Sequence, residues 1–333
     1  MGEFIASTTS AAPIVKLRST TTACGFAICA LGACSTVGAG ATTPVAAADI
    51  VYNVDPGVLT SYRYATLACL GANRYWWDWG GSRGHYLATA PLPLRDANGD
   101  VRAAIVPDPD DDSKLAFQLS AMPGDPDTST VGGKRCEMAL GWQPHNYPGQ
   151  APVRGAALPR NQDFWWTIKF RLGDWRATSD RQVIFQWLTP GADANGPMLA
   201  ADVWGSNIRL EIHHDFGTSP SPATTTKLIP WSMHGWQPNH WYSVAIHARI
   251  DAVTPADGRV AMWLDGTQVL DYHGPIGYTA PAGGDYAKFG LYHWTINNPW
   301  DMAVPKRIAW YRGPALIIDR AGYDVSSVRA VLE

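Results

Sequence analysis

The feature that most constrains the fold is a succession of short β-branched and aromatic runs, separated by Gly, Pro, Asn and Asp, from about residue 50 onward. Such runs are typical of β-strands, and neither a long amphipathic helical pattern nor an internal repeat interrupts them. The segments that we predict as strands are 115–119, 135–140, 164–172, 182–188, 198–203, 207–213, 241–250, 259–264, 267–272, 287–293 and 307–311. About eleven strands favour an all-β sandwich of two antiparallel sheets over a barrel or a propeller.

The clearest local signal is a hairpin over residues 259–270. Two alternating segments are joined there by Asp265 and Gly266. An Asp-Gly pair readily adopts the left-handed backbone that a tight turn of the primed type requires. The hairpin supports the all-β interpretation and implies no chemistry of its own.

Length and composition favour one large domain. The 333 residues are 46% hydrophobic and 17% charged, so the chain can bury a sizeable core. We predict a single domain over 49–333, in which about 49–112 form an N-terminal extension that packs on the sandwich. The net charge of −3 gives no general attraction to nucleic acid or to an anionic membrane. A polyanionic partner would therefore need a local basic surface.

Residues 1–48 form a leader that is rich in Ala, Thr and Ser. Two basic residues precede an apolar run over 23–33, and 45–48 are typical of the site at which a secretory signal is cut. The sequence Leu-Gly-Ala-Cys that ends at Cys34 resembles a bacterial lipoprotein box. We expect a secreted or periplasmic protein, with lipid anchoring through Cys34 as one alternative and an untargeted, disordered leader as another.

Cysteine usage leaves two alternatives open. Three of the five cysteines lie in the leader, which leaves Cys69 and Cys136. In an oxidising compartment these two would be able to pair, but Cys136 as a buried thiol is the other alternative. There is no C-x-x-C pair and no H-E-x-x-H helix, so we expect no zinc site. No apolar run beyond the leader is long enough to be a transmembrane segment.

Three distant segments carry polar residues on one face of a predicted strand. Because side chains alternate along a strand, the residues that share these faces follow from their spacing. They are Arg135 and Glu137 in the first segment, Gln186 and Leu188 in the second, and Lys288, Tyr292 and Trp294 in the third. A guanidinium, an amide and a phenol beside an ammonium group are suited to bind an anionic sugar and to move a carbon-bound proton. The pattern predicts a polar groove that binds an anionic polysaccharide.

These segments resemble the Arg-x-Glu, Gln-x-His and Tyr-x-Lys-x-Gly-x-Tyr strands of the jelly-roll, alginate-lyase-like polysaccharide lyases. The sequence between these strands is most similar to that of the group of glucuronan lyase (polysaccharide lyase family 20) and heparin lyase I, over about residues 114–319. The resemblance implies a concanavalin A-like β-jelly-roll with a concave substrate groove. It also implies β-elimination on a uronic-acid polysaccharide such as glucuronan or alginate, in which the C5 proton leaves and O4 departs from C4.

The resemblance implies a role for each polar residue. Arg135 and Gln186 would neutralise the substrate carboxylate, because a developing enolate-like dianion needs preorganised donors or cations. Tyr292 would be the acid and, in one alternative, also the base, since nearby positive charge favours its phenolate. The residues that we assign to substrate binding are Glu137, Lys288, Arg209 and Trp294.

The chain departs from the family pattern at Leu188, where alginate lyases carry His. Three alternatives follow for the base. Tyr292 serves as both base and acid, or His213 supplies the base from a strand on which Arg209 and Glu211 share its face, or catalysis has been lost. Loss would leave a non-catalytic glycan-binding protein. A laminarinase-like glycoside hydrolase is a further alternative, although the residues after Glu211 do not match its carboxylate spacing.

No cofactor is needed for this chemistry, and we expect a monomer. Calcium is common in the lyase group as a structural ion. Asp- and Asn-rich stretches at 108–112 and 297–298 contain oxygen ligands of the kind that calcium prefers. The metal ligands themselves are left unassigned.

Overall fold

The computed structural model describes residues 43–54, 56, 65–70, 74–77, 93–127, 133–140, 157–190, 195–217, 220–279, 284–294 and 297–333. The strands in this part of the chain are β1 (Ile50–Asn53), β2 (Ala65–Cys69), β3 (Arg74–Trp77), β4 (Leu94–Arg95), β5 (Val101–Asp108), β6 (Asp111–Ala121), β7 (Lys134–Leu140), β8 (Asp163–Leu172), β9 (Arg181–Leu188), β10 (Leu199–Trp204), β11 (Asn207–Asp215), β12 (Thr226–His234), β13 (Trp241–Arg249), β14 (Arg259–Leu264), β15 (Thr267–His273), β16 (Gly277–Tyr278), β17 (Tyr286–His293) and β18 (Arg307–Ile318). The helical elements among the described residues include α1 (Val325–Arg329) and short 3-10 helices at Ala47–Asp49, Pro255–Asp257 and Ala330–Leu332.

The described strands form two nine-stranded sheets. The first sheet has the order β15-β14-β13-β8-β18-β6-β5-β4, with β1 paired to β18. The second has the order β12-β11-β10-β9-β17-β7-β2-β3, with β16 paired to β11. The short β11–β16 pair is parallel, whereas the strands around it in the second sheet pair antiparallel. The architecture is the predicted all-β jelly-roll sandwich.

All eleven segments predicted as strands match strands of the structure, and two of them, 198–203 and 241–250, extend one residue beyond the observed strand. The sequence missed β1–β5, β12 and β16. In β12 the signal is weak because the strand contains Pro230, which lacks a backbone donor. The strand lies at an edge of the second sheet, where that loss is tolerated. Residues 49–112, which we expected to pack on the sandwich, supply strands to both sheets.

The predicted leader, with its apolar run at 23–33 and Cys34, lies outside the described residues. Within the described ranges, no helix is long and apolar enough to cross a membrane. Export and lipid anchoring through Cys34 therefore stay predictions.

Aromatic side chains fill the space between the two sheets. The ring of Trp166 in β8 lies 5.2 Å from that of Phe185 and 5.9 Å from that of Trp187, measured between centroids. Further along the core, Phe289 of β17 packs against Tyr311 of β18 at 5.3 Å. All of these rings are buried. Because Trp187 faces the core, its neighbour Gln186 faces outward, as alternation predicted.

A β-bulge in β9 decides which residues share the outer face of the second sheet. The pairing of β9 with β10 shifts by one residue at Ile184. Ile184 and its neighbour Phe185 both belong to the core. Uninterrupted alternation would place Arg181 and Gln186 on opposite faces, because their residue numbers differ by an odd number. The bulge brings both side chains to the outer face.

Tyr311 supports this irregular region from the first sheet. Its hydroxyl lies 3.0 Å from the carbonyl oxygen of Gly290 and 3.2 Å from that of Ile184, and these two acceptors share its one proton. The pairing of β17 with β9 is also irregular here, and buried carbonyl groups outside a regular ladder need a donor. Gly290 itself has no room for a side chain, because a Cβ would lie 2.4 Å from the carbonyl oxygen of Cys136. Both features hold β17 close to its neighbours.

Cys69 and Cys136 form a disulfide, which decides between the two alternatives that the sequence left open. The two residues are direct cross-strand partners in β2 and β7, and both are buried. The bond ties β2 to β7, the strand that carries Arg135 and Glu137.

We predict that replacing Cys69→Ala and Cys136→Ala together lowers the free energy of unfolding by about 2–4 kcal/mol, because the bond restricts the unfolded chain. The loop that it closes spans 67 residues. Denaturant unfolding of the oxidised protein, the reduced protein and the double variant measures the difference. The reduced protein should resemble the variant, and equal stability of the variant and the oxidised protein would contradict the expectation.

Candidate active site

The three polar segments predicted from the sequence are neighbouring strands. β17 pairs with β7 on one side and with β9 on the other. In this register Tyr292 lies opposite Arg135, and Lys288 lies opposite Gln186. The side chains therefore converge on the outer face of the second sheet. Arg135, Glu137, Gln186 and Tyr292 are called the Tyr292 cluster below.

The carboxylate of Glu137 is the centre of the Tyr292 cluster. It is 1% exposed, and its Oε1 accepts a hydrogen bond of 2.7 Å from Nε2 of Gln186. Its Oε2 lies 2.8 Å from Nε of Arg135, in an ion pair that is not aligned as a hydrogen bond. A buried carboxylate needs such partners because an unpaired charge is costly to desolvate. Glu137 thus orients both side chains that the sequence assigned to charge neutralisation.

Tyr292 lies under the guanidinium of Arg135, whose Cζ is 4.2 Å from the centroid of the phenol ring. Burial is the largest influence on this hydroxyl and raises its pKa, and the charge of Glu137 acts in the same direction. Arg135 opposes the rise through its charge and a hydrogen bond, but the pKa stays above the usual value near 10. Tyr292 is therefore a neutral phenol at neutral pH.

Gly133 provides the space that the Tyr292 ring occupies. A Cβ at this position would lie 2.6 Å from the Cε2 atom of Tyr292. Any larger residue would have to displace the ring or the strand end, so Gly133 positions Tyr292. The sequence carried no signal for this role, because a glycine just before a predicted strand is common in turns.

A second cluster of charged residues lies on the same face, further along the sheet. Nε of Arg181 donates to Asp202 at 2.6 Å, and Nε of Arg209 donates to the other oxygen of Asp202 at 2.9 Å. Glu211 pairs with Arg181, with Nη2 of Arg209 at 2.9 Å, and with Nε2 of His213 at 3.2 Å. These five residues are called the Glu211 network.

The two carboxylates of the Glu211 network respond differently to their surroundings. Burial disfavours ionisation of Glu211, but the hydrogen bond from His213 and the charges of Arg181 and Arg209 lower its pKa to about 2. At Asp202 burial is again the largest influence, and there it raises the pKa despite the same two arginines. Glu211 is therefore the firmly ionised member of the network.

The structure places His213 in the Glu211 network and not beside Tyr292. β9 and β10 lie between β17 and β11, so the two residues are three strands apart. At the usual spacing of neighbouring strands, this separation is roughly 14 Å. Leu188, where alginate lyases carry His, is 6% exposed and packs with Ala139 and Tyr286. The described residues thus place no histidine next to Tyr292 on this face.

The remaining predicted residues lie between and beside the two clusters. The ring of Trp294 is 6.5 Å from the ring of Tyr292, and the guanidinium of Arg181 lies 4.9 Å from its centroid. Trp294 therefore connects the Tyr292 cluster to the Glu211 network. Lys288 is 7% exposed, and its Nζ lies 5.5 Å from the ring centroid of Tyr286.

The stretches that we considered for calcium are engaged with protein groups. Oδ1 of Asp108 accepts a hydrogen bond of 2.9 Å from Trp241, and Asp110 pairs with Arg171 at 2.6 Å. The side-chain amide of Asn298 bonds the backbone of β9. In the part of the chain that the structure describes, no group of three or more His, Cys, Asp or Glu side chains is arranged to hold a metal ion. Calcium binding at these stretches therefore stays a prediction.

Comparison with known proteins gives a family and a fold. Residues 76–313 match the family model described as Polysaccharide lyase. The endo-β-1,4-glucuronan lyase of the fungus Trichoderma reesei superposes with a TM-score of 0.51 at 15% identity, covering 67% of this chain and 89% of that chain. This likeness supports the jelly-roll fold.

Two solved alginate lyases were also found. Alginate lyase AlgAT5, of polysaccharide lyase family 7, has a TM-score of 0.48 at 12% identity and covers 79% of this chain and 98% of its own. Alginate lyase A1-II′, of the same family, has a TM-score of 0.47 at 12% identity with the same coverage. A search of curated proteins finds no match.

We predict that the stabilisation contributed by Glu211 is lost in acid. Its pKa is about 2 in the folded protein, against 4.5 as the ordinary value. Because the folded pKa is the lower one, the contribution is fully present above about pH 5 and declines as the pH falls towards 2. Glu211→Gln should lower the free energy of unfolding at pH 7 by an amount on the order of 3 kcal/mol.

Denaturant unfolding at several pH values measures this difference. Asp112→Asn, which removes an exposed carboxylate from β6, is the matched control. A loss for Glu211→Gln that is the same at pH 3.5 and pH 7, or no larger than that of the control, would show that the network does not depend on this charge.

Proposed function

This chain belongs to the polysaccharide lyase family, and we propose that it cleaves a uronic-acid-containing polysaccharide, glucuronan or an alginate-like polymer, by β-elimination. The observation that carries the proposal is the convergence of Arg135, Gln186 and Tyr292 around the buried carboxylate of Glu137. A cation, an amide donor and a phenol are the groups that elimination next to a carboxylate requires.

Arg135 and Gln186 neutralise the substrate carboxylate in this mechanism. Removal of the C5 proton places a second negative charge on the carboxylate of the sugar. Each residue uses one nitrogen on Glu137, whereas a guanidinium and an amide carry further N–H groups. Since Glu137 holds both side chains in place before substrate binds, their dipoles need not reorganise as the charge develops.

Tyr292 moves the proton, first as base and then as acid. Its phenolate takes the proton from C5, the C4–C5 double bond forms, the bond from C4 to O4 breaks, and the phenol returns the proton to O4. One residue is able to do both only if the C5 hydrogen and O4 leave from the same side of the ring. Arg135, 4.2 Å above the Tyr292 ring, stabilises the phenolate that the first step needs.

Two positions among the described residues support the choice of Tyr292 as base. Leu188 has no titratable group, and His213 is bonded to Glu211 three strands away from Tyr292. Leu188 also favours a second candidate function, a glycan-binding protein without catalysis. The glycoside hydrolase alternative finds no support, because the matching family consists of lyases.

We further propose that the enzyme acts outside the cytoplasm, in the secreted or periplasmic space. The proposal is supported by the signal-like composition of residues 1–48. Lipid anchoring through Cys34 is the alternative form of the same proposal, and a monomer is the expected assembly.

Incubation with glucuronan, alginate, hyaluronan and heparin tests the reaction, because each elimination creates an unsaturated sugar that absorbs in the ultraviolet. We predict absorbance with at least one polymer, and a fall in kcat of roughly 10²–10⁴-fold for Tyr292→Phe, the usual size of an acid–base contribution.

Tyr272→Phe is the matched control, since it removes a hydroxyl from β15 in the first sheet. A folded protein that produces no ultraviolet absorbance with any of the four polymers would overturn the lyase proposal. Binding of a polymer without product, unchanged in Tyr292→Phe, would favour the glycan-binding candidate instead.

We predict that activity rises with pH through the neutral range. The pKa of Tyr292 is raised, so the phenolate that starts the reaction is the minor form at neutral pH. Below that pKa, kcat/KM should increase about tenfold for each pH unit. Initial rates between pH 6 and pH 10 measure the profile. A plateau that begins near the pKa of histidine, about 6.5, would assign the base to a histidine and contradict the role given to Tyr292.

A further inference from the structure

Trp204, the last residue of β10, is an exposed aromatic residue in a sandwich whose other large rings are mostly covered. It is 46% exposed. Its Nε1 donates a hydrogen bond of 2.8 Å to the carbonyl oxygen of Ser179, so the ring is held in one orientation. The guanidinium of Arg209 lies 5.8 Å from the ring centroid. The indole therefore presents an exposed apolar face in a fixed orientation, next to a guanidinium.

Trp204 lies on the same face as the Tyr292 cluster and is connected to it by contacts. It is the direct cross-strand partner of Arg181, whose guanidinium lies against Trp294 at 4.9 Å. Trp294 in turn lies 6.5 Å from Tyr292, between ring centroids. β10 is two strands from β17, which corresponds to roughly 10 Å across the sheet. That distance is comparable to the length of a disaccharide.

We infer that the indole of Trp204 stacks on a sugar ring of the polymer, at a subsite remote from Tyr292. The inference rests on the proposed function and describes how the same face holds a long substrate. The polymer then crosses the strands from Arg135 towards β10, and one of its pyranose rings places its C–H face on the indole.

The chemistry of this subsite is apolar rather than ionic. The two arginines beside Trp204, Arg181 and Arg209, are each paired with Asp202 and Glu211. Their charges are therefore already matched. Salt screens ionic contacts but leaves stacking largely unaffected. Binding through Trp204 should thus depend little on salt, unlike capture of the carboxylate by Arg135.

Trp310 offers a matched control in the other sheet. It is half-buried on β18, and the guanidinium of Arg171 lies 5.7 Å from its ring centroid. Its neighbours Ala309 and Tyr311 face the core, so Trp310 faces outward from the first sheet. The pair has the same chemistry as Trp204 with Arg209, but it lies on the opposite side of the sandwich.

Kinetics of Trp204→Ala and Trp310→Ala on a cleaved polymer test the inference. For Trp204→Ala we expect KM to rise by about three- to tenfold, the effect of one aromatic contact, with kcat changed by less than about twofold. The rise should be larger for the polymer than for an oligosaccharide too short to reach from Tyr292 to Trp204. An unchanged KM, an equal rise for the short substrate, or the same rise in Trp310→Ala would overturn it.

A binding measurement keeps this test separate from the proposed reaction. Calorimetric titration of glucuronan and alginate into Tyr292→Phe, with and without Trp204→Ala, reports affinity without turnover. A loss of affinity that is the same at low and high salt supports stacking at Trp204. No loss, or a loss that disappears at high salt, contradicts it. If the wild-type protein cleaves no polymer, the proposed function fails, and this titration still decides the role of Trp204.

Discussion

The one-residue bulge in β9 is the constraint on which the site depends. Ile184 and Phe185 both enter the core, and this shift turns Arg181 to the same face as Gln186. The shift leaves backbone carbonyls outside the regular ladder, and the buried hydroxyl of Tyr311 lies within hydrogen-bond distance of two of them from the opposite sheet. The aromatic core therefore does more than stabilise the sandwich. It fixes the register of β9 that brings Arg181 to the outer face on which the Tyr292 cluster lies.

On this scaffold the charges are arranged in two groups with different consequences. In the Tyr292 cluster, one buried carboxylate, Glu137, holds an arginine and an amide, each of which carries further N–H groups. In the Glu211 network, the carboxylates match the arginines, so the network supports the surface around Trp204 without presenting a free charge. The first group suits the proposed reaction beside a sugar carboxylate, and the second suits the proposed stacking contact at Trp204.

Alternation along strands was sufficient to predict the strands of the cluster and the face of Arg135, Glu137, Gln186 and Tyr292, because these segments are regular on either side of the bulge. It could not predict the face of Arg181, since a bulge reverses alternation without a sequence signal. Alternation also grouped His213 with the site. The face on which a side chain lies follows from the residues of its own strand, whereas the order of the strands in the sheet does not. The roles of Gly133 and Trp204 depend on close approach and exposure, which only coordinates provide.

The most direct test is a crystal structure of Tyr292→Phe with a bound uronic-acid oligosaccharide. We expect a sugar carboxylate against Arg135 and Gln186, with C5 and O4 of the reacting rings on the side of the ring at position 292. A carboxylate bound at the Glu211 network, or an oligosaccharide on the outer face of the first sheet, would contradict it.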